Sequence, residues 1–528
     1  MRNEEALFSP NFRAQCKDNR PVASGLRVFH RLHRRLLVRV GVVLLLFSAI
    51  VSLAGCDTFD RVALDRQADR DQESRRGQEG DAVEQVALDT PAVTPLSIPE
   101  LLEPAFDEEG VAHYDLTIGK SHHDYRQTAM TDTYSYNGMS VLGPTLRLRT
   151  GDSVVISVTN ELDETTTTHW HGADLPAEDD GGPHSLIEPG KTWVADFDVI
   201  QPAATLWYHP HPHGSTAEHV YRGAAGLIII DDDNPAAAAL PAAYGIDDIP
   251  VIIQDRDFTD DGQLDFAIVD DEEGNLDGVL TVNGTINPYV EVPTGLVRLR
   301  LLNGSQARIY HLSVEGANMT KIASDGGYLA GPVVLKQVVL APGDRVEIII
   351  NVGVESAALV DSTFGRVLEL RPNGTTSGTG MLPDKLAVIE RISESEITVD
   401  RSFHMDEVDN FWDSDAGWAI NDLPFEMSRI DVTVQLGDTE RWTLSSGEGP
   451  HVFHPHQIQF QILTINGEPP PPEASGWEDS VLVTAESEVV IAARFNSYTT
   501  DDIPYMFHCH ILDHEDLGMM GQFLVTDE

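Results

Sequence analysis

The chain has 528 residues, 41% of them hydrophobic and 7% aromatic, enough for about three domain-sized cores, which excludes both a single small module and a wholly disordered chain. A mean hydropathy of -0.18 excludes a polytopic membrane protein. With 85 Asp and Glu against 35 Lys and Arg the net charge is -50, a field that repels nucleic acid and anionic membrane, so no nucleic-acid partner is expected.

Residues 1–56 carry nine basic and three acidic side chains, which leaves 26 basic against 82 acidic in the rest and makes the body more acidic than the whole. Only six of the basic residues are Lys against 29 Arg, a composition that resembles proteins of salt-loving organisms. Arg31, Arg34, Arg35 and Arg39 precede an apolar run, Val40 to Ala54, that is too short for a comfortable membrane span and reads as an export signal. The run closes on Leu53-Ala54-Gly55-Cys56, which resembles a bacterial lipobox. Residues 1–56 are therefore expected to be a signal peptide, with Cys56 lipidated as the only membrane contact of an exported, periplasmic or cell-surface lipoprotein. Arg34-Arg35 before Leu36-Leu37 is weakly similar to a twin-arginine signal. Residues 57–96 are polar and without sustained periodicity, as in a flexible acidic tether.

Beyond the tether, short β-rich runs alternate with Gly, Pro, Asp and Asn turns: Thr145 to Val158, Leu227 to Ile230, Val297 to Leu302, Val346 to Val352 and Val489 to Phe495. Few stretches support a long helix, so the class is all-β. A polar apex, an alternating strand and a Gly turn recur at Gly143 to Asp152, Pro288 to Gly295 and Ile430 to Asp438. Three echoes spaced by about 145 residues predict three tandem Greek-key β-sandwiches, at 97–233, 234–394 and 395–528, with boundaries near Asp233 and Glu394.

The only cysteines are Cys16, Cys56 and Cys509. Removing the signal and acylating Cys56 leaves one thiol, so no intrachain disulfide is expected, and Cys509 is either buried inertly or coordinated to a metal. Random placement of 20 histidines would give about 0.8 His-x-His occurrences, yet five occur: 169/171, 209/211, 211/213, 454/456 and 508/510. On an extended strand, residues i and i+2 face the same way about 6–7 Å apart, so each pair can serve one metal or two adjacent ones. Pro210 and Pro455 inside two of the pairs predict edge or irregular segments. The last pair encloses the thiol, and His514 and Met519 follow Cys509 at five and ten residues. With one distant His, these form the His₂Cys set and weak axial Met of a blue copper site. Because His508 and His510 flank Cys509, a few covalent bonds join that site to whatever metals these two imidazoles hold.

Four separated blocks now stand in order: His169-Trp170-His171-Gly172, Trp207-Tyr208-His209-Pro210-His211, His451-Val452-Phe453-His454-Pro455-His456, and the Cys509 segment. Together they resemble the multicopper oxidases, closest to the bacterial three-domain laccase-like and copper-efflux type, over nearly all of 100–528. The resemblance implies three cupredoxin-like domains and four copper ions, three of them clustered between the first and third. By that likeness His451, Cys509, His514 and axial Met519 would bind type 1 copper, and His169 and His454 type 2. His171, His209, His211, His456, His508 and His510 would bind the type 3 pair. Asp180, in Glu178-Asp179-Asp180-Gly181-Gly182-Pro183, and Glu515, directly after His514, are similar to acids that supply protons near the cluster. His213, His122, His123, His184, His219 and His404 match no ligand position and are read as packed or surface imidazoles.

The implied reaction is repeated one-electron oxidation of a donor at type 1 copper, transfer through Cys509, and reduction of dioxygen to water at the three clustered ions. Copper-efflux members carry a methionine-rich insert near the third domain, whereas residues 355–425 here contain only Met381 and Met405. That favours a small phenolic or aromatic donor, as in laccases; the second reading is a metallo-oxidase of Cu(I), Mn(II) or Fe(II). A simple electron carrier, a copper nitrite reductase or a copper-free scaffold would leave most of the paired histidines without a use. The chain is expected to act as a monomer.

Overall fold

A computed structural model describes residues 91–125, 129–268, 278–408, 417–500 and 502–527. The signal, Cys16, the Arg34-Arg35 pair, the lipobox at Cys56 and most of the tether lie outside the described residues. The strands from Ala112 onward fall into three sandwiches in sequence order.

In the first, the sheet containing Thr145–Arg149, Gly226–Asp231, Ala204–His209 and His169–His171 packs on the sheet of Ala112–His123, Ser153–Asn160 and Thr192–Asp198. Alternation decides which side is buried. In Ser153–Asn160 every second residue (Val154, Ile156, Val158) points into a core shared with Leu116, Leu146 and Ile228. Each such side chain contributes about 1.5–3 kcal/mol when fully buried. The third sandwich is built the same way, and its core includes Phe403, Trp442, Phe453, Phe507 and Phe523.

The middle sandwich differs, because its eleven strands and Thr94–Pro95, from the end of the expected tether, are joined into one hydrogen-bonded system, so that end of the tether is part of the sheet. Pro288–Asn303 is long enough to serve both faces. Its first half pairs in parallel with Glu369–Pro372, and from Gly295 it pairs antiparallel with Arg345–Val352. Gly295, at φ +108°, lets the strand cross between faces. The expected turn there is thus a change of sheet. The expected run Thr145 to Val158 is instead two strands, broken where Gly151 sits at φ +93°.

The three sequence echoes occupy equivalent places. Thr145–Arg149, the start of Pro288–Asn303 and Val432–Gln435 each pair in parallel with the last strand of their own sandwich (Leu146 beside Ile228, Val290 beside Leu370, Val432 beside Phe523). Asp233 and Glu394 lie in the strand-free connections between sandwiches. Among the described residues helix is confined to short turns, such as Thr216–Tyr221 and Leu512–Asp516.

One expectation about the paired histidines needs correcting. Of the two pairs that enclose a proline, His209-Pro210-His211 does leave the sheet, since Pro210 follows directly on the end of Ala204–His209. His451–Pro455, however, lies inside its sheet, between Val481–Val483 and Tyr505–Cys509. Pro455 is tolerated because it is the last residue of the strand and lies past the stretch that Val481–Val483 pairs.

Candidate metal centres

Period-two alternation on Tyr505–Cys509 places Cys509 on the opposite face from its neighbours. The thiol enters the apolar core of the third sandwich, beside His451 from the adjacent strand and His514 from the helix Leu512–Asp516. The Sγ lies 3.8 Å from Nδ1 of His451 and 3.8 Å from Nδ1 of His514, and the two nitrogens are 3.1 Å apart. A triangle of these sides has a centre about 2.1 Å from every corner, the length of a metal–nitrogen or short metal–sulfur bond. Met519 is buried in the same core, with its backbone tied to Cys509 N–H at 3.0 Å and to the His514 carbonyl at 2.9 Å. Trp418 stacks on His514 at 3.9 Å between ring centroids and meets His451 edge-on, walling the triangle. Burial pushes the Cys509 thiol up to about 12, so a thiolate in this place requires a cation in the triangle.

The other eight imidazoles converge between the first and third sandwiches, all essentially excluded from solvent. Their ligand atoms gather in three groups: His169, His171 and His454; His171, His209 and His510; His211, His456 and His508. Strand pairing does this directly, since His209 lies opposite His169 in one sheet and His454 opposite His508 in the other. The pairs 209/211, 454/456 and 508/510 are each divided between two groups, whereas His169 and His171 share one group and His171 also enters a second. The residues alone left open whether a pair serves one metal or two, and the packing of the two sandwiches decides it.

The hydrogen bonds show which nitrogens are reserved. His169 Nδ1 donates to the Asp180 carbonyl (2.8 Å), His209 Nδ1 to the Pro210 carbonyl (2.9 Å), His454 Nδ1 to the Asp479 carbonyl (2.6 Å) and His508 Nδ1 to the Cys509 carbonyl (3.0 Å). The Nε2 atoms of His169, His209 and His454 are buried with no hydrogen-bond partner among the described residues. His456 Nδ1 donates to Asp180 Oδ2 at 2.8 Å, so its Nε2 carries a lone pair, and that atom lies 3.2 Å from the Nε2 of His508. Two bare nitrogens facing each other in a dry interior repel unless a cation lies between them. In His171, Nε2 donates to Asp479 Oδ1 at 3.1 Å, which leaves a lone pair on Nδ1, 3.2 Å from His510 Nε2. Burial holds His171, His209, His211, His454, His456, His510 and His514 well below the ordinary imidazole range, and it brings His451 down to about 4. Neutral imidazoles and one thiol are the soft donor set that suits copper, so the residues present fit that metal.

The two expected acids are both at the cluster. Asp180 holds His456 through its carboxylate and His169 through its carbonyl. Glu515 is fully buried, its oxygens 3.2 Å from His211 Nδ1 and 3.2 Å from His508 Nδ1. Burial alone would raise the Glu515 pKa, and the adjacent imidazoles bring it below the usual carboxylate range. The six other histidines singled out in the sequence stay apart from the groups. His213 meets the edge of Phe425, His122 pairs with Asp132, His123 with Ser140 and the Gly284 carbonyl, His184 with Gln522, His219 with Thr166, and His404 with Ser445. Sequence reasoning missed Asp479 and Trp418. Neither carries a local signal, because Asp479 is one acid among 85 and Trp418 acts only through stacking.

Comparison with known proteins follows the same lines. Multicopper oxidase family models match residues 117–235 and 396–528. The chain is 37% identical over 440 residues to the multicopper oxidase mco of Staphylococcus haemolyticus, covering 81% of this chain and 92% of that protein. It is also 36% identical over 462 residues to the cell division protein FtsP of Shigella dysenteriae, covering 82% and 93%. Among solved structures, a laccase-like multi-copper oxidase from Ochrobactrum sp., described as active towards lignin model compounds and lignosulfonate, superposes with a TM-score of 0.74 at 35% identity, covering 82% of this chain and all of that one.

Proposed function

The chain belongs to the multicopper oxidases, and we propose that within them it is laccase-like, oxidising small phenolic or aromatic donors at the expense of dioxygen. The observation that carries this reading is the division of one short segment, the strand Tyr505–Cys509 and the residue that follows it. Cys509 closes the triangle with His451 and His514, while the residues on either side, His508 and His510, close two groups of the buried cluster.

His451, Cys509 and His514, with Met519 beside them, would hold one copper. His169 and His454 would hold a second, and His171, His209 and His510 together with His211, His456 and His508 the remaining pair. Bound there, copper supplies one-electron acceptance from the donor at the first site and reduction of dioxygen at the other three. The protein's own contributions are fixed geometry and exclusion of water. Backbone carbonyls and Asp180 hold the protons of the outer ring nitrogens, so the inner nitrogens remain free to bind metal. The Cys509 backbone, only a few bonds long, joins the donor end to His508 and His510. Asp180 and Glu515, the acids in contact with cluster imidazoles, are placed to pass the protons that water formation consumes.

Support for an organic donor comes from the scarcity of thioethers and from the Ochrobactrum protein. Of the two methionines in 355–425, Met405 is fully buried and only Met381 is exposed, so that stretch gathers no soft-metal site. The metallo-oxidase reading rests on the acidic surface. The cell-division relatives suggest another role, against which the complete donor set argues. Export and lipid tethering through Cys56 belong to the same proposal.

The test is copper analysis of the purified protein followed by dioxygen uptake with a phenol, a radical-forming dye, Mn(II) and Cu(I), each at low and high salt. About four coppers per chain and fastest turnover with the phenol or dye are expected. A phenol rate no better than free copper ends the laccase-like reading, and a copper-free chain ends the oxidase reading.

A further inference from the structure

The middle sandwich supplies no imidazole to the cluster, since His311 is its single histidine and is exposed. It does supply Arg345, whose side chain is completely buried. One Nη of Arg345 donates to Asp479 Oδ1 at 2.7 Å and to the Gly343 carbonyl at 3.0 Å. The other Nη donates to Asp479 Oδ2, and Nε donates to the Thr205 carbonyl at 3.1 Å, on the strand that ends in His209. Asp479 belongs to the third sandwich. Its Oδ1 accepts from His171 Nε2 and its carbonyl accepts from His454 Nδ1, which are imidazoles from the first and third sandwiches.

Two glycines show how closely the parts meet. A Cβ on Gly172, which sits at φ +85°, would come within 2.5 Å of Asp479 Oδ2 and 2.7 Å of the Arg345 guanidinium. A Cβ on Gly343 would come within 2.9 Å of the His510 ring. The fourth residue of the block His169-Trp170-His171-Gly172 is thus small because the Arg345–Asp479 pair occupies the space beside it. Asp325, also of the middle sandwich, closes the unit: its Oδ1 accepts from Arg345 N–H at 2.7 Å, and its Oδ2 from Asp479 N–H at 3.3 Å and Ser480 N–H at 3.2 Å.

We infer that Arg345 is a positioning residue for the copper cluster: through Asp479 it sets the ring orientation and tautomer of His171 and His454, so the ligand-free middle domain fixes the geometry of a site built from the other two. The planar fork is what the role requires. It must engage both carboxylate oxygens while reaching two carbonyls, a task that a lysine ammonium, with a single donor centre, does not perform. The inference rests on the cluster reading given above.

The test uses the full copper-loaded chain and the variants Arg345→Met, Arg345→Lys and Gly172→Ala. Three readouts are taken: the copper affinity of the cluster by competition with a chelator, the electron paramagnetic resonance of the His169/His454 copper, and the visible absorption of the Cys509 centre. Arg345→Met is expected to weaken cluster copper binding by about 10- to 100-fold and to change the resonance of the His169/His454 ion, with the Cys509 absorption unchanged. Arg345→Lys is expected to recover the melting temperature without recovering the cluster signature. Wild-type affinity and resonance in Arg345→Met, or recovery of both by Arg345→Lys, overturns the inference. Should Arg345→Met fail to fold, Gly172→Ala crowds the same pair from the first sandwich and must show the same selective loss; a wild-type cluster there overturns the inference equally. A wild-type chain that lacks the cluster signature refutes the functional reading instead, before any variant is compared.

Discussion

Asp174 offers a test of the seam that brings the two halves of the cluster together. It lies three residues after His171, at the edge of an open cleft of about 340 Å³ that Ile200, Gln201, Trp477 and Arg494 also line. Its Oδ2 accepts from the Ser497 hydroxyl of the third sandwich at 2.7 Å, its Oδ1 is buried without a partner among the described residues, and burial raises the carboxyl from 3.8 to about 6. Between about pH 4 and pH 6 the folded protein therefore keeps a proton that the unfolded chain has released, and stability falls as pH rises through that window. Above it the loss is constant. A shift of about two units at about 1.4 kcal/mol each makes it about 3 kcal/mol. Asp174→Asn keeps an acceptor for Ser497 and removes the charge, so it should stabilise the protein by up to about 3 kcal/mol at about pH 7.5 and by close to nothing at about pH 4. Paired thermal melts across that range, at one salt concentration, read the difference as a gap of a few degrees that opens with pH. A gap that does not change with pH, or a variant that melts below the wild type at pH 7.5, refutes the assignment of a buried, half-satisfied carboxyl at this seam.

Replacing Cys509 by Ser removes the only thiol of the triangle; visible absorption and donor oxidation should disappear while the cluster keeps its copper, and oxidation that survives would sever the proposed path. Gly181, at φ +76°, has no room for a side chain, because a Cβ would lie 1.8 Å from the Thr168 carbonyl at the base of the His169–His171 strand. Gly181→Ala should therefore cost about 3 kcal/mol or more in denaturant midpoint, whereas Gly182→Ala, whose nearest contact is Asp180 Oδ2 at 3.1 Å, should cost distinctly less. With 82 acidic against 26 basic residues beyond position 56, self-repulsion should yield to salt. Raising KCl to about 1 M, which shortens the screening length to about 3 Å, should raise the melting temperature, and a flat or falling response would show that the surface charge does not limit stability.

The sequence by itself determined what depends on local spacing. Alternation set the strands, and the recurring apex–strand–Gly pattern marked three sandwiches, because each copy must pair with the last strand of its own domain. The two-residue repeat of a strand put Cys509 on the opposite face from His508 for the same geometric reason, and His510 lies just past the strand's end. Tertiary structure alone decided that His451–Pro455 lies inside its sheet, and that Pro288–Asn303 runs through Gly295 from one face to the other. It also decided the contacts made across domains. His171 meets Asp479 across 308 positions, and Arg345 meets it across 134. A salt bridge of that span leaves no periodicity in the chain, since the packing of whole sandwiches creates it and no local propensity does. The residues that bind are legible as a pattern; the residues that hold them in place become visible only when the three cores close on one another.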